Sequence, residues 1–377
     1  MIKNVPPMGW NSWNTFAENI NEELILASAD ALVESGLKAA GYEYIVIDDC
    51  WALKERGADG RLVPDPKKFP HGMKYVADYI HQKGLKFGMY SCCGVMTCAA
   101  YPASYNREYL DAETFAGWGV DFLKFDSCFK PSSADRKNLY RRMGLALNNC
   151  GRDILFSACS WGADNTHEWI GSTGANMWRS TGDIFDSWQS VKDIIKQQYN
   201  PNILPFGGAG CFNDMDMLIV GMHGKGHVGL TGCTNEEYRT HFAAWCMLAS
   251  PLMIGCDIRS MDENAKKILT NRVLIEIQQD PRGNRPYVEK VWDNDDLPVI
   301  VRALDGGKLA VGFFNLTDGD SNLWITTDDL GVPEISGKTL AGIEAYSGKE
   351  VRAVNGVLSA TLAPHACAVY LLEVKNK

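Results

Sequence analysis

Nowhere in the 377 residues is there an apolar run of about 18, so the sequence offers no helix that spans a bilayer. Basic residues are in the minority: 37 Lys and Arg stand against 46 Asp and Glu, a formal charge of −9. Nucleic acid and anionic membrane both reward a basic surface, so neither is expected as a partner. There is no internal repeat and no low-complexity segment, which sets solenoids and disordered tails aside. The opening MIKNVPPMGWNSW contains no apolar stretch of signal-peptide length. The expectation is a cytoplasmic protein, or a secreted one whose signal precedes this numbering. The 12 Cys are too sparse for a disulfide scaffold and read mostly as small buried apolar residues. No GxSxG elbow marks a serine hydrolase, and no CxxC pair accompanies Cys92, Cys93 and Cys98. The sequon Asn315-Leu316-Thr317 falls in a strand-like run and carries no weight as a glycosylation site.

What is present is a soluble globular composition, 46% hydrophobic and 22% charged. Short β-rich runs alternate with amphipathic helical stretches over the first three-quarters of the chain. Strands are expected near Met8–Ser12, Tyr44–Asp48, Lys86–Tyr90, Phe122–Asp126, Ile154–Ala158, Met177–Arg179, Asp216–Val220 and Leu252–Gly255. Helices are expected over Glu22–Ser35, Gly72–Lys83, Asp111–Trp118, Arg136–Asn148 and Glu236–Leu248. That alternation fits an α/β fold, a (β/α)8 TIM barrel, better than its rival, an open doubly wound sheet. Past Gln278–Gly283 the helices stop, and short runs such as Val299–Ala303, Leu309–Asn315 and Ala368–Val374 are divided by Gly, Asp and Asn turns. A C-terminal antiparallel β-sandwich is expected there. The expected division is a catalytic barrel over 1–283 and a β domain over 284–377.

In such a barrel the chemistry lies at the C-terminal ends of the strands. Those ends carry Trp13, Asp48, Asp49, Tyr90, Lys124, Asp126, Trp161, Arg179 and Asp183, with Asp216 and Met217 in the seventh. Carboxylates accept hydrogen bonds from sugar hydroxyls, and indole faces cover the C–H face of a pyranose. Taken singly, any of these Asp can be a helix N-cap and any Trp plain core. Lys124 and Asp126 are two apart on one strand and share a face. A cation beside Asp126 would hold it ionised as a nucleophile, although the pair can also be purely structural. Glycoside hydrolysis requires two carboxyl groups flanking the scissile bond, and Asp126 and Asp183 are the candidates.

The motifs MGWNSW, IDDCW, LKFDSC, CSW, WRSTGD and NDMDM, in this order and spacing, closely resemble glycoside hydrolase family 27, the α-galactosidases and α-N-acetylgalactosaminidases. The resemblance runs from Pro6 to the tail. It implies a retaining double displacement, with Asp126 as nucleophile and Asp183 as acid/base with a raised pKa. It gives sugar-binding roles to Trp13, Asp48, Asp49, Tyr90, Lys124, Arg179 and Asp216 and puts Met217 in the pocket wall. It also implies a Cys98–Cys128 disulfide beside the nucleophile. The partner positions of the family's further disulfides hold Ala17 and Met177 here, so Cys50 and Cys159 are expected free. No cofactor and no metal is called for.

At the strand-5 exit, galactose-specific members carry Glu after the Cys, whereas this chain reads Cys159-Ser160-Trp161-Gly162-Ala163. Small Ser160 and Ala163 resemble the N-acetylgalactosaminidase pattern, so cleavage of terminal α-N-acetylgalactosamine is expected, with some α-galactosidase activity. An enzyme specific for galactose is the alternative. The expected partner is a carbohydrate, an oligosaccharide or glycoconjugate ending in either sugar; an oligomer is left open. A metal-dependent barrel hydrolase is more distant, because the seven His avoid the strand ends, as is a non-catalytic sugar-binding protein, because both carboxylates are present. The glycine-rich stretch 221–232 matches GxGxxG at Gly224–Gly229, yet it reads as a flexible loop, neither a dinucleotide fingerprint nor a zinc site through His223 and His227.

Overall fold

The computed structural model describes residues 4–377, so the first three positions of the expected barrel segment lie outside the described residues. Eight short strands form its central sheet: β1 (Met8–Asn11), β2 (Tyr44–Val46), β3 (Lys86–Cys92), β4 (Phe122–Asp126), β5 (Leu155–Ala158), β6 (Met177–Arg179), β7 (Phe212–Asp214) and β8 (Leu252–Ile254). They pair in parallel in the order β8-β1-β2-β3-β4-β5-β6-β7. Alternation along each strand separates two cores. Tyr44, Val46, Phe122, Leu155, Met177, Phe212, Met217 and Met253 form the plug inside the barrel. Ile45, Leu123, Phe125, Phe156 and Trp178 face outward into the larger helix-covered core.

Around the sheet run α1 (Glu22–Glu34), α2 (Gly72–Gln82), α3 (Glu108–Trp118), α4 (Arg136–Asn148), α5 (Trp188–Gln197), α6 (Asn235–Met247), α7 (Glu263–Leu269) and α8 (Arg272–Gln278). Several start where a capping side chain satisfies an orphan N–H. Asn21 caps α1, Asp135 caps α4, and Thr234 with Glu237 makes a capping box on α6. Among the described residues no helix is long and apolar enough to cross a membrane.

The seventh strand departs from the expectation. Phe212–Asp214 pairs with β6, whereas the expected Asp216–Val220 contributes a single bridge, Leu218 with Ile254. Leu218 N–H donates to Met253 O at 2.7 Å, and Gly255 N–H donates to Leu218 O at 2.9 Å, which closes the barrel. Between the two halves the chain kinks at Asp216, whose φ of 88° is one that a residue with a Cβ adopts only at a cost. The apolar run Met215–Val220 is buried, and apolarity alone does not separate a strand from a buried kinked connection.

Beyond α8, strands β9 (Tyr287–Lys290), β10 (Pro298–Ala303), β11 (Leu309–Phe314), β13 (Lys338–Glu344), β14 (Glu350–Arg352) and β16 (Cys367–Asn376) make an antiparallel sheet, ordered β9-β10-β11-β16-β13-β14. β12 (Ser321–Thr326) pairs with β15 (Val357–Leu362). Val299, Val301, Val311 and Phe313 face Leu323, Ile325 and Leu358 in one core. The alternate residues Ile300, Ala310, Val369 and Leu371 join the barrel's helix-covered core. That cover explains why α6 is buried along nearly its whole circumference. Buried Arg302 ties the two parts: its Nη1 donates to Ile277 O at 2.7 Å and its Nε to Asn284 O at 2.9 Å. Asn315 of the sequon is buried, and its amide donates to Gly319 O and Ala363 O at 2.7 and 2.9 Å, so it is no glycan acceptor.

Candidate active site

At the carboxyl ends of the strands is a cavity of about 120 Å3. Twelve of the expected residues line it: Trp13, Asp48, Asp49, Tyr90, Cys98, Lys124, Asp126, Trp161, Arg179, Asp183, Asp216 and Met217. Met217 belongs to the barrel plug, so it forms the apolar floor on which the polar ring stands.

Lys124 and Asp126 share a face as expected, but they do not pair as expected. Lys124 Nζ donates to Asp48 Oδ2 at 2.8 Å, which also accepts from Asn11 Nδ2 at 2.8 Å. Burial works against the charge on Lys124, yet Asp48 outweighs it and holds the ammonium firmly protonated. Asp126 is left with two neutral donors, Tyr90 Oη at 2.9 Å on Oδ2 and the Ser127 N–H at 2.8 Å on Oδ1. Burial is the largest influence on this carboxyl and raises it to about 6, against the more distant pull of Lys124. The expected cation that keeps Asp126 ionised is therefore committed elsewhere. Asp49 is fixed by the N–H groups of Cys50 at 2.7 Å and Ala99 at 3.1 Å, and burial raises its pKa.

Across the mouth, Arg179 Nη2 reaches both Asp183 Oδ1 at 2.9 Å and Asp216 Oδ2 at 3.0 Å. Asp183 is exposed and Asp216 buried. Partial burial works to raise Asp183, but Arg179 outweighs it, and the carboxyl lies below its ordinary range. The raised pKa expected for an acid does not hold, because the guanidinium favours the ionised form. The kink at Asp216 has a use: it lets Oδ2 accept from the Ile184 N–H at 2.7 Å while Trp245 Nε1 donates to Asp216 O at 2.8 Å. Arg179 Nε is buried and has no protein partner among the described residues.

At the strand-5 exit, the two small residues expected in the pocket do not face the cavity. Ser160 is fully buried, and its hydroxyl bonds the Thr166 hydroxyl at 2.8 Å. Neither Ser160 nor Ala163 lines the cavity; Trp161 does. The turn that brings Trp161 inward uses φ values of 56° at Trp161 and 74° at Gly162, and a Cβ on Gly162 would come within 2.4 Å of Ser180 O. Cys98 and Cys128 are disulfide-bonded, with Cys98 Sγ at 3.6 Å from Asp126 Oδ2, while Cys50 and Cys159 are free.

Five lining residues had no place in the sequence reading: Asn14, Cys159 as a wall residue, Phe185, His227 and Val228. His227 and Val228 come from the stretch set aside as a flexible loop, so one His does reach the mouth. The Cys-Ser-Trp motif pointed to Cys159; nothing local in the sequence points to Phe185.

Residues 5–280 match the family model for alpha galactosidase A, and residues 294–372 match that for the alpha galactosidase C-terminal beta sandwich domain. The chain is 41% identical over 372 residues to an alpha-galactosidase of Cyamopsis tetragonoloba, covering 98% of this chain and 87% of that one. The chain belongs to glycoside hydrolase family 27. The chicken (Gallus gallus) alpha-N-acetylgalactosaminidase is 39% identical over 369 residues, covering 92% of this family 27 chain and 88% of its own. The solved alpha-galactosidase I of Mortierella vinacea superposes with a TM-score of 0.88 at 30% identity, covering 98% and 97% of the two chains. The family 27 protein is thus a glycoside hydrolase built on a barrel with a C-terminal β domain.

Proposed function

We propose that this enzyme is a retaining exo-α-galactosidase, with galactose preferred over N-acetylgalactosamine. The observation that carries the preference is Trp161 in the cavity wall with Ser160 turned away and bonded to Thr166. The alpha-galactosidase relative from Cyamopsis tetragonoloba and the solved Mortierella vinacea enzyme support the same choice. The terminal galactose enters the cavity ring-first. Asp48, Asp49 and Asp216 accept from its hydroxyls, and Lys124 donates.

Asp126 then attacks the anomeric carbon while Asp183 gives its proton to the glycosidic oxygen, and the leaving group departs as an alcohol. Asp183, now a carboxylate, takes a proton from water; the water oxygen displaces Asp126, which returns as a carboxylate. Two inversions leave the product in the α-configuration. For the first step Asp183 has to exchange its bond with Arg179 for the glycosidic oxygen, and Arg179 keeps Asp216 as partner when it does. Residues 1–283 carry this reaction in our reading, and 284–377 brace α6 from outside.

Parallel assays on nitrophenyl α-galactoside and nitrophenyl α-N-acetylgalactosaminide test the preference. The galactoside should have the higher kcat/KM by about tenfold or more. A higher value on the acetamido sugar would restore the other specificity.

A further inference from the structure

Outside the barrel, Asp186–Ser187 and Gly229–Gly232 pair in parallel, and the Asp186 N–H donates to Val228 O at 2.9 Å. This ribbon fastens the glycine-rich loop 221–232 to the chain that leaves Asp183. Its anchor is buried: Tyr238 Oη donates to Asp186 Oδ1 at 2.9 Å and accepts from the His223 N–H at 2.8 Å. The Gly224 N–H donates to Asp186 Oδ2 at 2.6 Å. Further along, the loop lies on the exit of β1, with the His227 N–H on Thr15 O at 3.3 Å and the Val228 N–H on Asn14 O at 3.1 Å. Gly226 permits that approach: its φ is 83°, and a Cβ there would come within 2.8 Å of Thr15 Cα.

The result is that Phe185 and His227, both exposed, line the cavity beside Asp183. The His227 ring meets Trp13 edge-on with centroids 5.2 Å apart. An acid that protonates the glycosidic oxygen faces the leaving group, so side chains bordering it at the rim border the leaving group too. We infer that Phe185 and His227 form a leaving-group subsite for a second sugar residue. The phenyl ring covers a C–H face of that sugar, and the imidazole hydrogen-bonds one of its hydroxyls. The inference rests on the reading of Asp183 as the acid/base.

The test compares melibiose, whose leaving group is glucose, with methyl α-galactoside, whose methyl group leaves the subsite empty. Both need a proton from Asp183. The full-length wild type should process melibiose with a kcat/KM about tenfold higher or more. Phe185→Ala and His227→Ala should each lower the melibiose-to-methyl ratio about fivefold or more, and His227→Gln, which keeps a hydrogen-bonding side chain, should recover most of it. Gly226→Ala keeps both residues chemically unchanged but lifts the loop that carries His227 from Thr15, and it should lower the same ratio. A wild-type ratio near one, or equal losses on both substrates in every soluble variant, overturns the subsite. A wild type inactive on both galactosides removes the catalytic reading beneath it, which is a separate outcome.

Discussion

Replacing Asp126 by Asn should abolish turnover and yet stabilise the protein. The carboxyl is 5% exposed and its pKa is raised from 3.8 to about 6, with burial the largest cause. A folded-state pKa above the unfolded one means that the folded chain holds this proton more tightly. Stability is therefore lost as pH rises from 3.8 to about 6, and the penalty is complete above that window. At 1.36 kcal/mol per unit, the penalty is about 3 kcal/mol at pH 7.5. Asn keeps the shape and does not titrate. Its Oδ1 can accept from the Ser127 N–H, and its Nδ2 faces Tyr90 Oη, which can turn from donor to acceptor.

The assay is thermal melting of wild type and Asp126→Asn across pH. The variant should melt roughly 5 °C higher at pH 7.5, and the gap should close by about pH 4. A gap independent of pH would mean a packing change in place of a relieved charge. A variant no more stable at pH 7.5 would refute the electrostatic argument outright. Loss of activity with retained binding of galactose, measured calorimetrically, separates the proposed nucleophilic role from mere collapse of the site.

In the proposed mechanism the active form of the Asp126–Asp183 pair holds one proton, and the pair loses its last proton near pH 6. The kcat/KM should consequently fall about tenfold per unit above pH 6, and an optimum above pH 7 would contradict the assignment. Asp183→Ala should slow substrates with poor leaving groups far more than nitrophenyl ones, with azide restoring the latter; uniform damage without rescue would count against its role. Trp161→Ala should open the wall beside the galactose and raise the ratio of N-acetylgalactosaminide to galactoside cleavage about tenfold. An unchanged ratio would show that the indole does not bound the acetamido position.

Periodicity carried most of the barrel, because alternate strand residues have different destinations. Leu123 and Phe125 had to face helices if Lys124 and Asp126 faced the mouth, and they do. The three strands of the β domain that were missed, β13, β14 and β15, are short or interrupted by residues such as Gly342 and Ser359. At the site, the identity of the lining was legible and its pairing was not. Which carboxylate Lys124 chooses depends on β2 and β4 flanking β3 on either side, a matter of three-dimensional register. The direction of the Ser160–Trp161 turn depends on a left-handed pair of residues and on Ser180 behind it. A motif compared letter by letter assigns Ser160 to the pocket, whereas the backbone gives that place to its neighbour. Likewise the loop 221–232 looked mobile for its glycines, although those glycines let it pack closely.

The distribution of charge around the cavity follows a consistent logic. Asp48, Asp49, Asp126, Asp183 and Asp216 surround two cations, Lys124 and Arg179. A site arranged for stability alone would give one cation to the most buried reactive carboxylate. Here Lys124 goes to Asp48, and Arg179 goes to Asp183 and Asp216. Asp126, like Asp49, keeps only neutral donors, so its charge has no ion-pair partner in the ring. The strained backbone at Asp216 falls in the same place, where local stability is commonly given up for function. In the proposed mechanism, attack on the sugar replaces the charge on Asp126 with a neutral ester, and the developing positive charge on the sugar meets a carboxylate that lacks a cation of its own. The burial that costs the folded protein stability thereby favours the glycosyl–enzyme over the free nucleophile.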